Sequence, residues 1–208
     1  MTSTYQLKSR FQSLLRPLAA HLYRAGVTAN QITLGACLIS VALGAAALAF
    51  PQRHYLFLFI ALWCLLRMAA NALDGVLARE FGQASRLGAV LNELGDVISD
   101  VALYLPFAWV AGSQPWLVIA VVLLALCSEF AGLLGPLLNN ARGYDGPMGK
   151  SDRAVVFGLA ALLIGSGISV APFINLLWAS TAALLVLTII HRARSACAGR
   201  RDTRDAQG

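Results

Sequence analysis

Residues 67–100 read RMAANALDGVLAREFGQASRLGAVLNELGDVISD. Two apolar stretches meet here, one ending near Arg79 and one opening near Gly88, and both carry polar side chains at helical spacing. At about 100° per residue, Arg67, Asn71, Asp74 and Ala78 share one stripe of a first helix. Gly88, Asn92, Asp96 and Asp100 share a stripe of a second, drifting slowly around it. The short charged link from Arg79 to Leu87 makes the two helices antiparallel neighbours, so the stripes are expected to meet.

The surroundings of this stretch place it in a bilayer. Of 208 residues, 58% are hydrophobic and 12% charged, against about 25% charged in an ordinary soluble protein. Mean hydropathy is +0.69. A soluble domain must wet its exterior and could not hide that much apolar surface. Disordered chains are polar and charged, so disorder is excluded as well. The expected class is all-α: a polytopic membrane protein with six transmembrane helices behind an N-terminal cytoplasmic interfacial amphipathic helix.

A spanning helix needs about 20 mostly apolar residues. Six stretches qualify, roughly Gln31–Phe50, Tyr55–Ala78, Gly88–Gly112, Trp116–Leu138, Ala154–Val170 and Phe173–Ile190. Basic residues fall on one side of this series. Lys8, Arg10, Arg16 and Arg24 precede the first span; Arg79 and Arg86, then Arg142, Lys150 and Arg153, occupy alternate connections. Arg192, Arg194, Arg200, Arg201 and Arg204 follow the last span, and the opposite side has only Arg53. Retention of Lys and Arg in the cytoplasm predicts both termini there. The net charge of +6 thus reads as membrane topology, and no nucleic-acid partner is expected.

Three segments follow: a juxtamembrane amphipathic segment, 1–29; a transmembrane domain, 30–194; and a polar cytoplasmic tail, 195–208. In the first, Leu7, Phe11, Leu14, Leu15, Leu18 and Leu22 recur at helical spacing, with Lys8, Arg10, Gln12 and Arg16 mostly opposite. That pattern predicts a helix in the membrane interface near anionic headgroups, or one packed on the bundle. It lacks the uninterrupted apolar core and cleavage site of a secretory signal. Cys37, Cys64, Cys127 and Cys197 form no CxxC and read as small hydrophobes.

Polar side chains within spans are costly and mark function. Asn71, Asp74, Asn92 and Asp96 offer oxygen ligands suited to a hard cation such as Mg²⁺. His21, His54 and His191 lie far from them in sequence, so zinc is not indicated. Gly75 and Gly88 leave room for a ligand at the backbone. Helix packing through small residues would explain Gly75, Ala78 and Gly88, but not two Asp and two Asn beside them. Deeper, Arg67, Asp100 and Glu129 reach a common depth of about 18–20 Å at 1.5 Å per residue. Arg67 is expected to pair with Asp100, Glu129 or both, because an unpaired buried charge is costlier. Ser99 and Ser128 lack a neighbouring base for acyl transfer, and no GxGxxG or Walker A loop is present.

Segment 71–96 resembles the signature of the CDP-alcohol phosphotransferase (CDP-alcohol phosphatidyltransferase) family, D-x2-D-G-x2-A-R-x8-G-x3-D-x3-D. The chain has Asn71, Asp74, Gly75, Ala78, Arg79, Gly88, Asn92 and Asp96 at those positions with the same spacings. Both departures are Asp to Asn. Residues 27–33, Val-Thr-Ala-Asn-Gln-Ile-Thr, look like the P-N-x2-T opening of the family's first span, with Ala29 in place of Pro. Gly149-Lys150 with Arg153 looks like its basic element before the fifth span. The N-A-L-D-G form is similar to that of a bacterial inner-membrane subgroup.

The resemblance implies a reaction. A CDP-linked lipid, usually CDP-diacylglycerol, donates a phosphatidyl-type group to an alcohol, CMP leaves, and a phospholipid forms. It implies that Asp74 binds metal, that Asp96 binds metal and accepts the alcohol proton, and that Asn71 and Asn92 complete the ligands, with Asp100 as a further candidate. Gly75, Ala78, Arg79 and Gly88 would line the CDP site. Lys150 and Arg153, joined by Arg142, would hold an acceptor or lipid phosphate. The cofactor would be Mg²⁺ or Mn²⁺, as one ion or two, and members are often dimeric. An Asn keeps an oxygen ligand but loses a charge, so a second cation should bind less tightly. Asp100, one turn deeper, or Glu93, about 100° off the stripe, would supply the missing charge. The rival readings are a weakened member that binds CDP-lipid or a partner enzyme without turnover, and a transporter. Polarity weighted to one membrane face counts against transport.

Overall fold

The computed structural model describes residues 15–138 and 141–198, which form helices joined by turns and links, with no strand among them. In chain order the helices are α1 (residues 15–24), α2 (Ala29–Ala49), α3 (Tyr55–Glu80), α4 (Arg86–Tyr104), α5 (Pro115–Leu137), α6 (Lys150–Gly165) and α7 (Ile174–Cys197). A 3₁₀ turn, Leu105–Trp109, follows α4. Four of them, α2, α3, α5 and α7, are long and apolar enough to cross a membrane. The chain divides into two compact units. One takes α1 to α4 and Phe157–Ile168; the other takes Phe107–Val156 and the chain from Ser169.

The first unit is built on α2, which packs against both α3 and α4. Thr28 starts it: its hydroxyl accepts from the Gln31 N–H, while the Gln31 side chain accepts from the Thr28 N–H. This reciprocal cap satisfies two otherwise orphaned donors. The buried stripe of α2 is Thr33, Ala36, Ser40, Gly44 and Ala47, small residues that let membrane helices approach closely. At Gly44 the approach is tightest, since a Cβ there would collide with the Ala102 carbonyl. The Trp63 indole donates to Ser40 Oγ at 2.8 Å.

Helix α4 reverses the soluble pattern. Asp96, Ser99, Asp100, Leu103 and Tyr104 are buried, while Leu87, Val90, Leu94 and Ile98 are exposed. An apolar outer face over a polar inner one suits a helix whose surroundings are lipid. The expected third span, Gly88–Gly112, ends early as an α-helix at Tyr104, because Pro106 cannot donate to a helical ladder. Phe157, near the middle of α6, stacks on Tyr104 with ring centroids 3.8 Å apart.

Around α1, Leu15, Ala19 and Leu22 pack with Leu73, Val76 and Leu77 of α3, and the Tyr23 and Phe81 rings lie 4.9 Å apart. The described part of the amphipathic segment therefore rests on the bundle, with Leu18 exposed. Leu7, Lys8, Arg10, Phe11, Gln12 and Leu14 lie outside the described residues, as does the tail from 199.

In the second unit α5 packs on α7. Trp178 is fully buried, stands edge-on to Phe107 and donates to Ser113 Oγ at 2.8 Å. The expected fifth span, Ala154–Val170, is displaced toward the N-terminus: α6 starts at Lys150 and ends at Gly165, and Gly167 follows at φ 77°.

Replacing Gly44 by Leu should force α2 from α4 and destabilise the first unit by about 1–3 kcal/mol, the usual cost of overpacking. Thermal melting of detergent-solubilised protein, followed by size-exclusion chromatography, checks this; an unchanged melt would contradict the packing.

Candidate active site

The polar stripes of α3 and α4 meet beneath the start of α2, around a cavity of about 270 Å³. Asn71, Asp74, Gly75, Ala78 and Arg79 line it from α3, and Gly88, Ala89 and Asn92 from α4. Ala29, Asn30 and Thr33 close it from α2, and Gln83, Ala84 and Ser85 from the α3–α4 link. Seven of the eight signature positions thus share one cavity, the exception being Asp96.

Each wall has a local cause. Ser85 caps α4 by accepting from the Gly88 N–H at 2.9 Å. Gln83 reaches back to accept from the Ala29 N–H at 2.6 Å, tying the link to the start of α2. Asp74 is buried, and its Oδ2 accepts from the Thr33 hydroxyl at 2.7 Å. The two glycines are close approaches. A Cβ on Gly75 would stand 2.9 Å from Arg79 Nη2, and one on Gly88 would stand 2.7 Å from Asn30 Oδ1. A larger residue at either position would enter the cavity or displace its polar lining.

Asp96 and Asp100 are held by Arg67. The guanidinium, 5% exposed, donates from Nη1 to Asp100 Oδ1 at 2.6 Å and from Nη2 to Asp96 Oδ1 at 3.0 Å. Nη2 also reaches the Asp96 carbonyl at 3.0 Å. Asn71 Nδ2 donates to the same Asp96 Oδ1 at 2.8 Å, leaving its amide oxygen as the acceptor end. The expected Arg67–Asp100 pair is present, and Asp96 joins it. Glu93 is half-buried.

Glu129, the other residue expected near Arg67, is engaged within the second unit by three arginines. Arg142 meets its Oε2 at 3.2 Å, while Arg153 and Arg192 meet its Oε1 at 2.9 and 3.4 Å. Arg153 is fully buried and also donates to Ser128 Oγ, and Arg192 donates to the Ser128 carbonyl at 2.6 Å. Arg192, read from sequence as a topology charge, is a buried member of this cluster. Burial lowers Arg142 from the usual guanidinium range, with Arg192 pushing the same way and Tyr144 opposing. Lys150 is half-buried at the first position of α6.

The donors fit a hard cation. Asp74 brings a carboxylate to the cavity wall, and Asn71 and Asn92 bring amide oxygens, the ligand type that Mg²⁺ and Mn²⁺ take. Among the described residues no three His, Cys, Asp or Glu side chains stand together as a metal-holding group. Carboxylates at this cavity are accordingly few. Thr33, Asn30, Gln83 and Ser85 were not singled out from sequence as site residues. Thr33 and Asn30 do fall in the segment resembling the opening of the family's first span, whereas Gln83 carried no signal.

Comparison with known proteins agrees with this architecture. The family model for CDP-alcohol phosphatidyltransferase matches residues 26–190. The inner membrane protein YnbA of Escherichia coli (strain K12) is 49% identical over 191 residues, covering 92% of this chain and 94% of that protein. A phosphatidylinositol phosphate synthase of Mycolicibacterium smegmatis is 30% identical over 197 residues, covering 91% of this chain and 84% of its own. The crystal structure of the Mycobacterium tuberculosis phosphatidylinositol phosphate synthase with CDP-DAG bound superposes with a TM-score of 0.72 at 22% identity, over 86% of this chain and 92% of that one. The same enzyme in complex with manganese and citrate gives a TM-score of 0.72 at 23% identity, over 87% and 88%. At those identities the crystal structures speak to the fold.

Replacing Glu129 by Leu would leave three guanidiniums together without their carboxylate. Breaking a buried pair in this way costs about 3–5 kcal/mol. The variant should be lost from the monodisperse fraction on solubilisation; wild-type yield and melting would contradict the account of the cluster.

Proposed function

We propose that this chain, which belongs to the CDP-alcohol phosphatidyltransferase family, is a membrane transferase of phospholipid synthesis that moves a phosphatidyl group from CDP-diacylglycerol to an alcohol. The observation that carries the reading is the single cavity gathering Asn71, Asp74, Gly75, Ala78, Arg79, Gly88 and Asn92 at the joined ends of α3 and α4. CDP-DAG, which the structure of the M. tuberculosis protein holds, is the donor we assign here.

Transfer at phosphorus needs neutralised charge and alignment more than covalent help from the protein. Gly75, Ala78 and Gly88 form the small-residue wall against which the cytidine diphosphate lies, with Arg79 on its phosphates. Mg²⁺ or Mn²⁺, when bound with Asp74, Asn71 and Asn92, supplies charge neutralisation at the diphosphate oxygens. The alcohol oxygen bonds to the lipid-side phosphorus, and the bond from that phosphorus to the bridging oxygen breaks. CMP carries the bridging oxygen away, and Asp96 accepts the alcohol proton. Lys150, half-buried at the start of α6, is the group assigned to an anionic part of the acceptor or the lipid phosphate, whereas Arg153, fully buried on Glu129, holds that carboxylate in place.

The same reading sets the topology. Helices α4 and α6, of 19 and 16 residues, measure about 28 and 24 Å at 1.5 Å per residue, near the hydrocarbon thickness of about 30 Å. They complete six spans in a bacterial inner membrane. The concentration of Lys and Arg on one side supports cytoplasmic termini and a cytoplasmic cavity.

Purified protein in lipid should release CMP from CDP-diacylglycerol when given Mg²⁺ or Mn²⁺ and a suitable alcohol. Serine, glycerol phosphate and inositol phosphate form the first panel. Chelation should abolish release, and Asp96→Asn should slow it by about 10²–10⁴, the range for removing a general base. Metal-dependent binding of CDP-diacylglycerol with no CMP from any acceptor would instead favour a lipid-binding member without turnover.

A further inference from the structure

The charge around the cavity does not suit two divalent ions. Asp74, Asp96 and Asp100 are buried carboxylates within α3 and α4, and Arg67 is buried among them. Among these buried groups three negative charges and one positive charge leave two, which one divalent cation balances, while Arg79, exposed at the cavity wall, is left to the phosphates of the donor. A second cation would rest on the amides of Asn71 and Asn92, which have oxygen but no charge. Asp96 is also committed: its Oδ1 takes donors from both Arg67 and Asn71. Arg67 bridges to Asp100 one turn away through its other nitrogen, so the guanidinium spans the two carboxylates as a bridging ion would.

We infer that the Arg67 guanidinium is a built-in cation standing in for a second metal ion, so that this site loads one divalent cation, at Asp74. The inference rests on the transferase reading above and deepens it. A guanidinium stays charged at any physiological pH and holds carboxylates in a fixed fork. Arg67 thereby fixes Asp96 without the ligand exchange a metal ion would allow. It is a positioning residue acting through Asp96. The departures Asn71 and Asn92 then have a cause: with a permanent cation in place, fewer ligand charges are needed.

The test is a count of bound Mn²⁺ on the full chain in lipid nanodiscs with CDP-diacylglycerol, free Mn²⁺ being read by electron paramagnetic resonance. Wild type should bind about one Mn²⁺ per chain. The double variant Asn71→Asp, Asn92→Asp, which keeps Arg67, should still bind one, and adding Arg67→Gln to it, as a triple variant, should admit a second, an effect that a purely structural Arg67 would not produce; a second Mn²⁺ on the double variant would overturn the inference. Two Mn²⁺ on wild type would overturn the inference, and so would a folded triple variant that still binds one. Melting shows whether the triple variant is folded; if it is not, the wild-type count decides alone. CMP release in the same samples separates the two readings. Two Mn²⁺ with CMP released removes the role of Arg67 and leaves the transferase. Neither Mn²⁺ nor CMP removes the transferase reading and the inference with it.

Discussion

A guanidinium within an apolar helix must be given counter-charge, and the pairing of Arg67 with Asp96 and Asp100 answers that requirement across the α3–α4 interface. The geometry of the site follows from it. Satisfying Arg67 turns the polar stripe of α3 toward that of α4. Four residues along, Asn71 meets Asp96, and beyond it Asp74 comes to the cavity wall. The exposed faces of both helices are left apolar, as lipid-facing surfaces must be. Breaking such a pair costs more than forming it gains, because the surviving charge stays buried. The ion cluster is therefore a constraint on which arrangements are allowed rather than a store of stability.

Helix α2 turns that paired interface into a pocket. Its small residues let it approach closely at Gly44, while at its first turn Asn30 and Thr33 face Gly88 and Asp74. Tight packing at one end and polar contacts at the other leave an opening where the chain presents glycine and alanine. The second unit repeats the logic with inverted charge: one carboxylate, Glu129, ordered by three guanidiniums. Excess positive charge there suits an anionic partner, and excess negative charge in the first unit suits a cation.

Much of the first unit was legible in the sequence because its signals are periodic. The stripes through Asn71 and Asn92 gave the antiparallel pair, and Tyr55 and Trp116 marked helix starts within one residue. Four features were not read. Pro106 lies in an apolar run that hydropathy alone carries through to Gly112, yet its missing N–H ends the α-helix. Arg192 comes after Ile189, Ile190 and His191 and looks like a tail charge. Its place on the buried stripe Ile174, Trp178, Thr181, Leu185, Thr188, Arg192 and Ala196 was available at helical spacing. Asp96 was placed on the correct stripe, but its engagement by Arg67 depends on side-chain reach across two helices, which spacing along one helix does not encode. Gln83 lies in a link whose conformation is set by the helices it joins.

The central claim is that oxygen donors from α3 and α4 bind a cation against the diphosphate of a CDP-linked lipid. Anomalous diffraction from crystals grown with Mn²⁺ and CDP-diacylglycerol tests it most directly. The account predicts a manganese peak at about 2.1–2.2 Å from an Asp74 carboxylate oxygen, the usual distance for a hard divalent ion on a carboxylate. Cytidine should lie along Gly75, Ala78 and Gly88. Manganese elsewhere in the molecule, or a cytidine diphosphate bound outside this cavity, would contradict the account.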